Sequence, residues 1–198
     1  MLTQLPPATR GLIIANVVIF ILQYLTHNAY SGLFALWPPG PYFHVWQLVT
    51  YAFLHGGLLH IFFNMFAIWV FGPMLELFLG IGRYLTLYFA SVLSAAVVQM
   101  LSLHLAGVYE ATIGASGGIF GLLLTFGWYF PKQRLVLLFP PIPIPAWLFV
   151  TLYGLIELTL GVTRTESGVA HFAHLGGMLG AALVILCWRV RDGRPRRW

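Results

Sequence analysis

The chain has 198 residues; 60% are hydrophobic, only 8% are charged, and the formal net charge is +5. Soluble domains carry about 25% charged residues, so this composition excludes a water-soluble globular protein and indicates a polytopic α-helical membrane protein. The positive charge does not indicate nucleic acid, because five of the ten basic residues (Arg189, Arg191, Arg194, Arg196 and Arg197) directly follow or end a hydrophobic segment, where anionic lipid headgroups are the fitting contact.

Residues 1–10 are polar, with Pro6, Pro7 and Arg10, and an apolar run follows over 11–26. No small-x-small cleavage site follows it, so it reads as a first transmembrane helix rather than a signal peptide. Residues 27–50 form a long loop with Trp37, Pro38, Pro39, Gly40, Pro41, Tyr42, Phe43 and Trp46, and without Lys, Arg, Asp or Glu. Such a loop belongs in the membrane interface, where amphipathic rings are stable. The pattern predicts a second helix over 57–78 and a third over 83–104, joined by the tight connection Gly80-Ile81-Gly82-Arg83.

A loop over 105–115 leads into a fourth apolar segment, 116–130, which ends before Pro131. At ~1.5 Å per residue it reaches roughly 22 Å, short of a ~30 Å hydrocarbon core. The segment is therefore expected to begin below one membrane surface, with its preceding loop dipping to membrane depth. Irregular backbone is tolerated there only where protein buries it or it lines a wet cavity. A basic turn over 131–134 follows, and then 135–145, whose Pro140, Pro141, Pro143 and Pro145 exclude a helix. The fifth and sixth helices are predicted over 146–160 and 168–188. The expected fold is an all-α, six-transmembrane-helix bundle, one membrane domain over 1–198, with a short central fourth helix.

The basic residues orient it. With both termini cytoplasmic, nine of ten lie on the cytoplasmic side and only Arg164 lies outside, in keeping with the positive-inside rule. Residue 116 then faces the extracytoplasmic half. Small residues recur at four-residue spacing on the sixth helix (Ala173, Gly177, Ala181, beside Gly176 and Gly180), and Gly117 and Gly121 begin a similar face on the fourth. These two helices are expected to touch, although bland packing explains such stripes equally well.

The chemistry centres on Ser116, which stands among Gly114, Gly117, Gly118 and Gly121. It reads either as a helix N-cap or as a nucleophile at a helix N-terminus, with small neighbours that admit a substrate backbone. His60 and Asn64 share one face of the second helix at i, i+4, and His171 and His174 open the sixth. Polar side chains at membrane depth point to function; His27, His44 and His104, near loops, read as structural, as does His55. Acyl transfer fits the set, with Ser116 as nucleophile and a sixth-helix histidine as general base. His60, Asn64 and backbone N–H groups near Ser116 would hold the oxyanion at the positive end of the helix dipole. No Asp or Glu adjoins the sixth-helix histidines in sequence, Asp192 lies at the wrong end, and Glu157 is the one remote candidate for a third member. The expectation is a Ser-His dyad.

The ordered motifs H-G-G-L-L-H-I-F-F-N (55–64), G-A-S-G (114–117) and A-H-L-G-G (173–177) resemble those of the rhomboid intramembrane serine proteases, bacterial type. The resemblance covers nearly the whole chain. It implies Ser116 as nucleophile and His174, rather than His171, as base, through the pattern Ala173-His174 and Gly177. It matches His60 and Asn64 to the oxyanion side and Gly114, Phe120 and Gly177 to active-site support, with Phe120 where many members stack an aromatic on the catalytic histidine. It implies single-pass transmembrane proteins as substrates, cut near the outer face at helix-destabilised segments with small residues. The implied location is the bacterial inner membrane, with no cofactor and no metal. Two departures stand out: Trp46-Gln47 where Trp-Arg is frequent, and Ala181 where glycine is also common.

Two other classes compete. A catalytically inactive relative would bind transmembrane helices without cutting them, which the presence of both Ser116 and His174 argues against. An intramembrane metalloprotease or metal transporter would use the paired histidines. The chain has no H-E-x-x-H motif, and no carboxylate is expected near those pairs.

Overall fold

The computed structural model of the chain describes residues 4–136, 141–163 and 170–192. Arg164, Arg194, Arg196, Arg197 and Pro140, which entered the topology and loop readings, lie outside the described residues. The long helices are α1 (Pro7–Leu25), α4 (Leu58–Leu79), α5 (Ile81–Ala106), α6 (Ser116–Tyr129), α7 (Ala146–Thr163) and α8 (His171–Asp192); α2 (Ser31–Phe34) and α3 (Gln47–Thr50) are single turns in the first loop. Among the described residues, five helices are long and apolar enough to cross a membrane: α1, α4, α5, α7 and α8. The sixth, α6, has 14 residues and reaches only about 21 Å.

α6 lies among the others, packed against α4, α5, α7 and α8, and 11 of its 14 residues are buried. The helices around it turn apolar side chains outward, such as Leu152, Leu155 and Ile156 of α7, and keep Asn16, Gln99, Glu157, His171 and His174 inside. That inversion suits a bundle bathed in hydrocarbon, where interhelical attraction comes from close packing and polar contacts. α6 and α8, the pair that the small-residue stripes predict, approach closely, as do α5 and α8. A methyl group added at Gly177 would collide with the backbone carbonyl of Gly117, and Ala181 is fully buried.

Several boundaries differ from expectation: α5 runs over Ile81–Ala106 instead of 83–104, and α8 ends at Asp192 instead of 188. α1 begins at Pro7 instead of 11, because a proline is suited to a first helical position and the Glu76 carboxylate of α4 takes up the freed donors. It accepts the N–H groups of Ala8 (2.8 Å) and Thr9 (2.7 Å) and the Thr9 hydroxyl (2.8 Å). α7 continues to Thr163. The proline-rich stretch is not wholly irregular: Arg134–Val136 (β1) pairs antiparallel with Pro143–Pro145 (β2), so the bundle carries a small β-ribbon beside its helices. Arg83 at the start of α5 pairs with Asp192 at the end of α8. The Arg189 guanidinium stands 5.7 Å from the Trp128 ring centre near the end of α6. The described basic helix ends therefore gather at one end of the bundle.

The first loop is held by Gln47, which is fully buried. Its Oε1 accepts the N–H groups of Trp37 (3.3 Å) and His44 (3.2 Å), and its Nε2 donates to the carbonyls of Leu33 (3.1 Å) and Tyr42 (2.9 Å). The amide thus supplies donors and acceptors together, at the position where the sequence departs from Trp-Arg. Gln47→Leu is expected to lower thermal stability by about 1–3 kcal/mol for each backbone group left dry. Thermal unfolding in detergent, with limited proteolysis of 31–46, measures it.

Candidate active site

Ser116 is the first residue of α6, one position past its N-cap, Ala115. The hydroxyl points across to α8, with Oγ 2.8 Å from His174 Nε2. The plain capping role is thereby ruled out for this side chain, and the Gly117–Gly177 approach explains how two residues 58 apart in sequence meet. Phe120, one turn along α6, stacks on the His174 ring at 4.1 Å and 5°. Tyr153 of α7 stacks behind Phe120 at 5.1 Å.

The backbone of the loop before Ser116 is satisfied by protein. Thr112 and Leu36 exchange N–H···O bonds of 2.9 and 3.0 Å, and the Gly114 N–H donates to the Tyr51 carbonyl (2.9 Å). Gly114 has φ +129°, and a β-carbon there would stand 2.8 Å from His60 Nε2. Backbone conformation and close approach both demand glycine.

His60 and Asn64 line the same cavity as Ser116 and His174, a cleft of about 1370 Å³. The His60 Nδ1 accepts the Gly56 N–H (3.3 Å), which leaves Nε2 as the N–H side of the neutral ring. Asn64 Nδ2 donates to the His60 carbonyl (2.9 Å) and retains a second hydrogen. The Ser116 N–H belongs to the first turn of α6, whose donors have no intrahelical acceptor. The cleft continues between α4 and α7, past Phe63, Ala67 and Val70 on one wall and Phe149 and Tyr153 on the other.

The expectation that no carboxylate lies near the paired histidines is overturned. Glu157 Oε2 lies 2.8 Å from His174 Nδ1 and 2.7 Å from His171 Nδ1, and all three residues are buried. The physical reason is that α7 and α8 pack together with Glu157 beside the first turn of α8. Separations of 14 and 17 residues hid the contact; an acidic residue in an otherwise uncharged helix was the signal present. The ligand atoms of these three lie within 4.8 Å of one another. Tetrahedral ligands ~2.1 Å from a zinc ion stand roughly 3.4 Å apart, wider than the two nitrogen–oxygen distances here, which are direct hydrogen-bond lengths. His55 is buried and structural in its contacts, its N–H donating to Gln23 Oε1 (3.0 Å) and its ring edge-on to Phe20. His44 stacks on Trp46 at 4.4 Å.

The sequence matches the Rhomboid domain over residues 42–190. It is 30% identical over 139 residues to Rhomboid protein 1, mitochondrial, of Saccharomyces cerevisiae, covering 69% of this chain and 40% of the yeast protein. It is 26% identical over 200 residues to the rhomboid protease GlpG of Yersinia pestis, covering 96% of this chain and 65% of that protein. The chain thus spans less than two thirds of the length of either relative.

Proposed function

Because this chain belongs to the rhomboid family, we propose that it is an intramembrane serine endopeptidase built as one six-span membrane domain over 1–198. Ser116 and His174 would be its catalytic dyad. The observation that carries the reading is the 2.8 Å approach of Ser116 Oγ to His174 Nε2, set in a cleft that also holds His60 and Asn64.

His174 Nε2 takes the Ser116 proton as Oγ bonds to the scissile carbonyl carbon. The oxyanion is held by the Ser116 N–H, the His60 Nε2–H and the Asn64 Nδ2–H at the positive end of α6. The intermediate collapses with cleavage of the C–N bond, and the leaving amine takes the proton from His174. Water then attacks the acyl-enzyme as His174 Nε2 takes its proton, and the ester C–O bond breaks as that proton passes to Oγ, which restores Ser116 and neutral His174. The substrate is a transmembrane segment of a single-pass protein, reached through the cleft between α4 and α7 and cut near the extracytoplasmic face. The basic end of the bundle and both termini are cytoplasmic, in a bacterial inner membrane.

A fluorophosphonate probe tests the reading against an inactive helix-binder. Wild-type protein should be labelled at Ser116 and Ser116→Ala protein should not; folded wild-type protein that takes up no label favours the binder.

A further inference from the structure

We propose that Glu157 is a positioning residue of this site: its carboxylate holds His174 in the tautomer that receives the serine proton, and His171 braces the carboxylate. The inference rests on the serine-protease reading above and adds a third member to the expected dyad.

An ionised carboxylate only accepts hydrogen bonds. Glu157 Oε2 stands 2.8 Å from His174 Nδ1 and 2.7 Å from His171 Nδ1, so each Nδ1 carries the hydrogen it donates. A neutral imidazole has one N–H. With the His174 hydrogen on Nδ1, its Nε2 is a bare acceptor facing the Ser116 hydroxyl at 2.8 Å. The Phe120 face stacked on His174 fixes the ring plane, but a flat aromatic face does not distinguish one tautomer from the other. The carboxylate does. When His174 becomes positively charged in the transition state, the Glu157 negative charge lies directly on its far side, where it costs no reorganisation.

His171 has a separable part. It precedes His174 by three residues in the first turn of α8, so both rings project toward α7. Its Nε2 has no hydrogen-bond partner among the described residues, and Glu157 is the polar contact its ring makes. A carboxylate at this depth is costly unless its charge is met by donors. Two N–H donors on one oxygen meet it and hold the side chain against rotation.

The experiment uses the full chain in proteoliposomes with a transmembrane reporter and compares wild type, Glu157→Gln and Glu157→Leu. Gln keeps an acceptor oxygen and loses the charge; Leu loses both. Glu157→Gln is expected to lower kcat by about tenfold to a hundredfold, part of the ~10²–10⁴ that a positioned base contributes. KM and the thermal unfolding midpoint should stay unchanged, and Ser116 should react with fluorophosphonate more slowly in the same proportion as kcat. Glu157→Leu should fall further; if it does not fold, Glu157→Gln decides alone. A Glu157→Gln protein with wild-type kcat, or one whose loss lies wholly in KM or in melting, overturns the assignment while leaving the protease reading intact. Wild-type protein that neither cleaves nor labels removes both.

Discussion

Replacing Ser116 or His174 by alanine is expected to lower the turnover of a transmembrane reporter by on the order of 10⁶, with the substrate still bound. Loss of a nucleophile or its base in a serine protease has that scale. The geometry gives each residue one task and no substitute: Oγ is the hydroxyl within bonding reach of His174 Nε2, and the next histidine on α8, His171, directs its Nδ1 to Glu157 instead. The two losses should not add. A protein lacking both side chains should cleave about as slowly as either single variant, because a base without a nucleophile has no proton to take. Single-turnover assays, with substrate capture measured separately, check both statements. A double variant slower than the singles by the product of their effects would show that the two residues do not work as a unit.

His60→Ala and Asn64→Ala should each lower kcat by roughly 10²–10³, the usual effect of removing one oxyanion donor, with KM little changed. His60 is set as a donor by its own neighbour, since Nδ1 accepts the Gly56 N–H and the hydrogen falls on Nε2, beside Gly114. Asn64 is held by its bond to the His60 carbonyl, 2.9 Å away. One donor is a ring and the other an amide, so Asn64→Asp, which replaces donors with an acceptor, should be at least as damaging as Asn64→Ala. Steady-state kinetics on the three variants checks this. Equal loss from Ala and unchanged activity from Asp would assign Asn64 to packing.

Much of this site was readable in the sequence because lipid makes polarity informative. Ser116, His60, Asn64 and the pair His171 and His174 stand out in apolar helices, where an idle polar group is costly; only the rhomboid resemblance chose His174 from that pair. The glycines that let α6 meet α8 recur at a spacing with a mechanical meaning. What was not readable depended on contacts between distant segments. The start of α1 at Pro7 is fixed by Glu76, 68 residues away from the N–H of Ala8 that it accepts. Gln47 holds four backbone groups of an irregular loop, and no periodicity announces that. Glu157 lies on a different helix from both histidines, and the direction of its side chain on α7 decided whether it met them or turned away. The β-ribbon arose where prolines forbid a helix but leave extended backbone free to pair.

The most direct test is to reconstitute wild-type and Ser116→Ala protein with a panel of single-pass substrates and to map the products by mass spectrometry. The account predicts cuts by wild-type protein within or beside the transmembrane segment, near the face where α6 begins, and none by Ser116→Ala. Cleavage of the same bond by Ser116→Ala protein would contradict it.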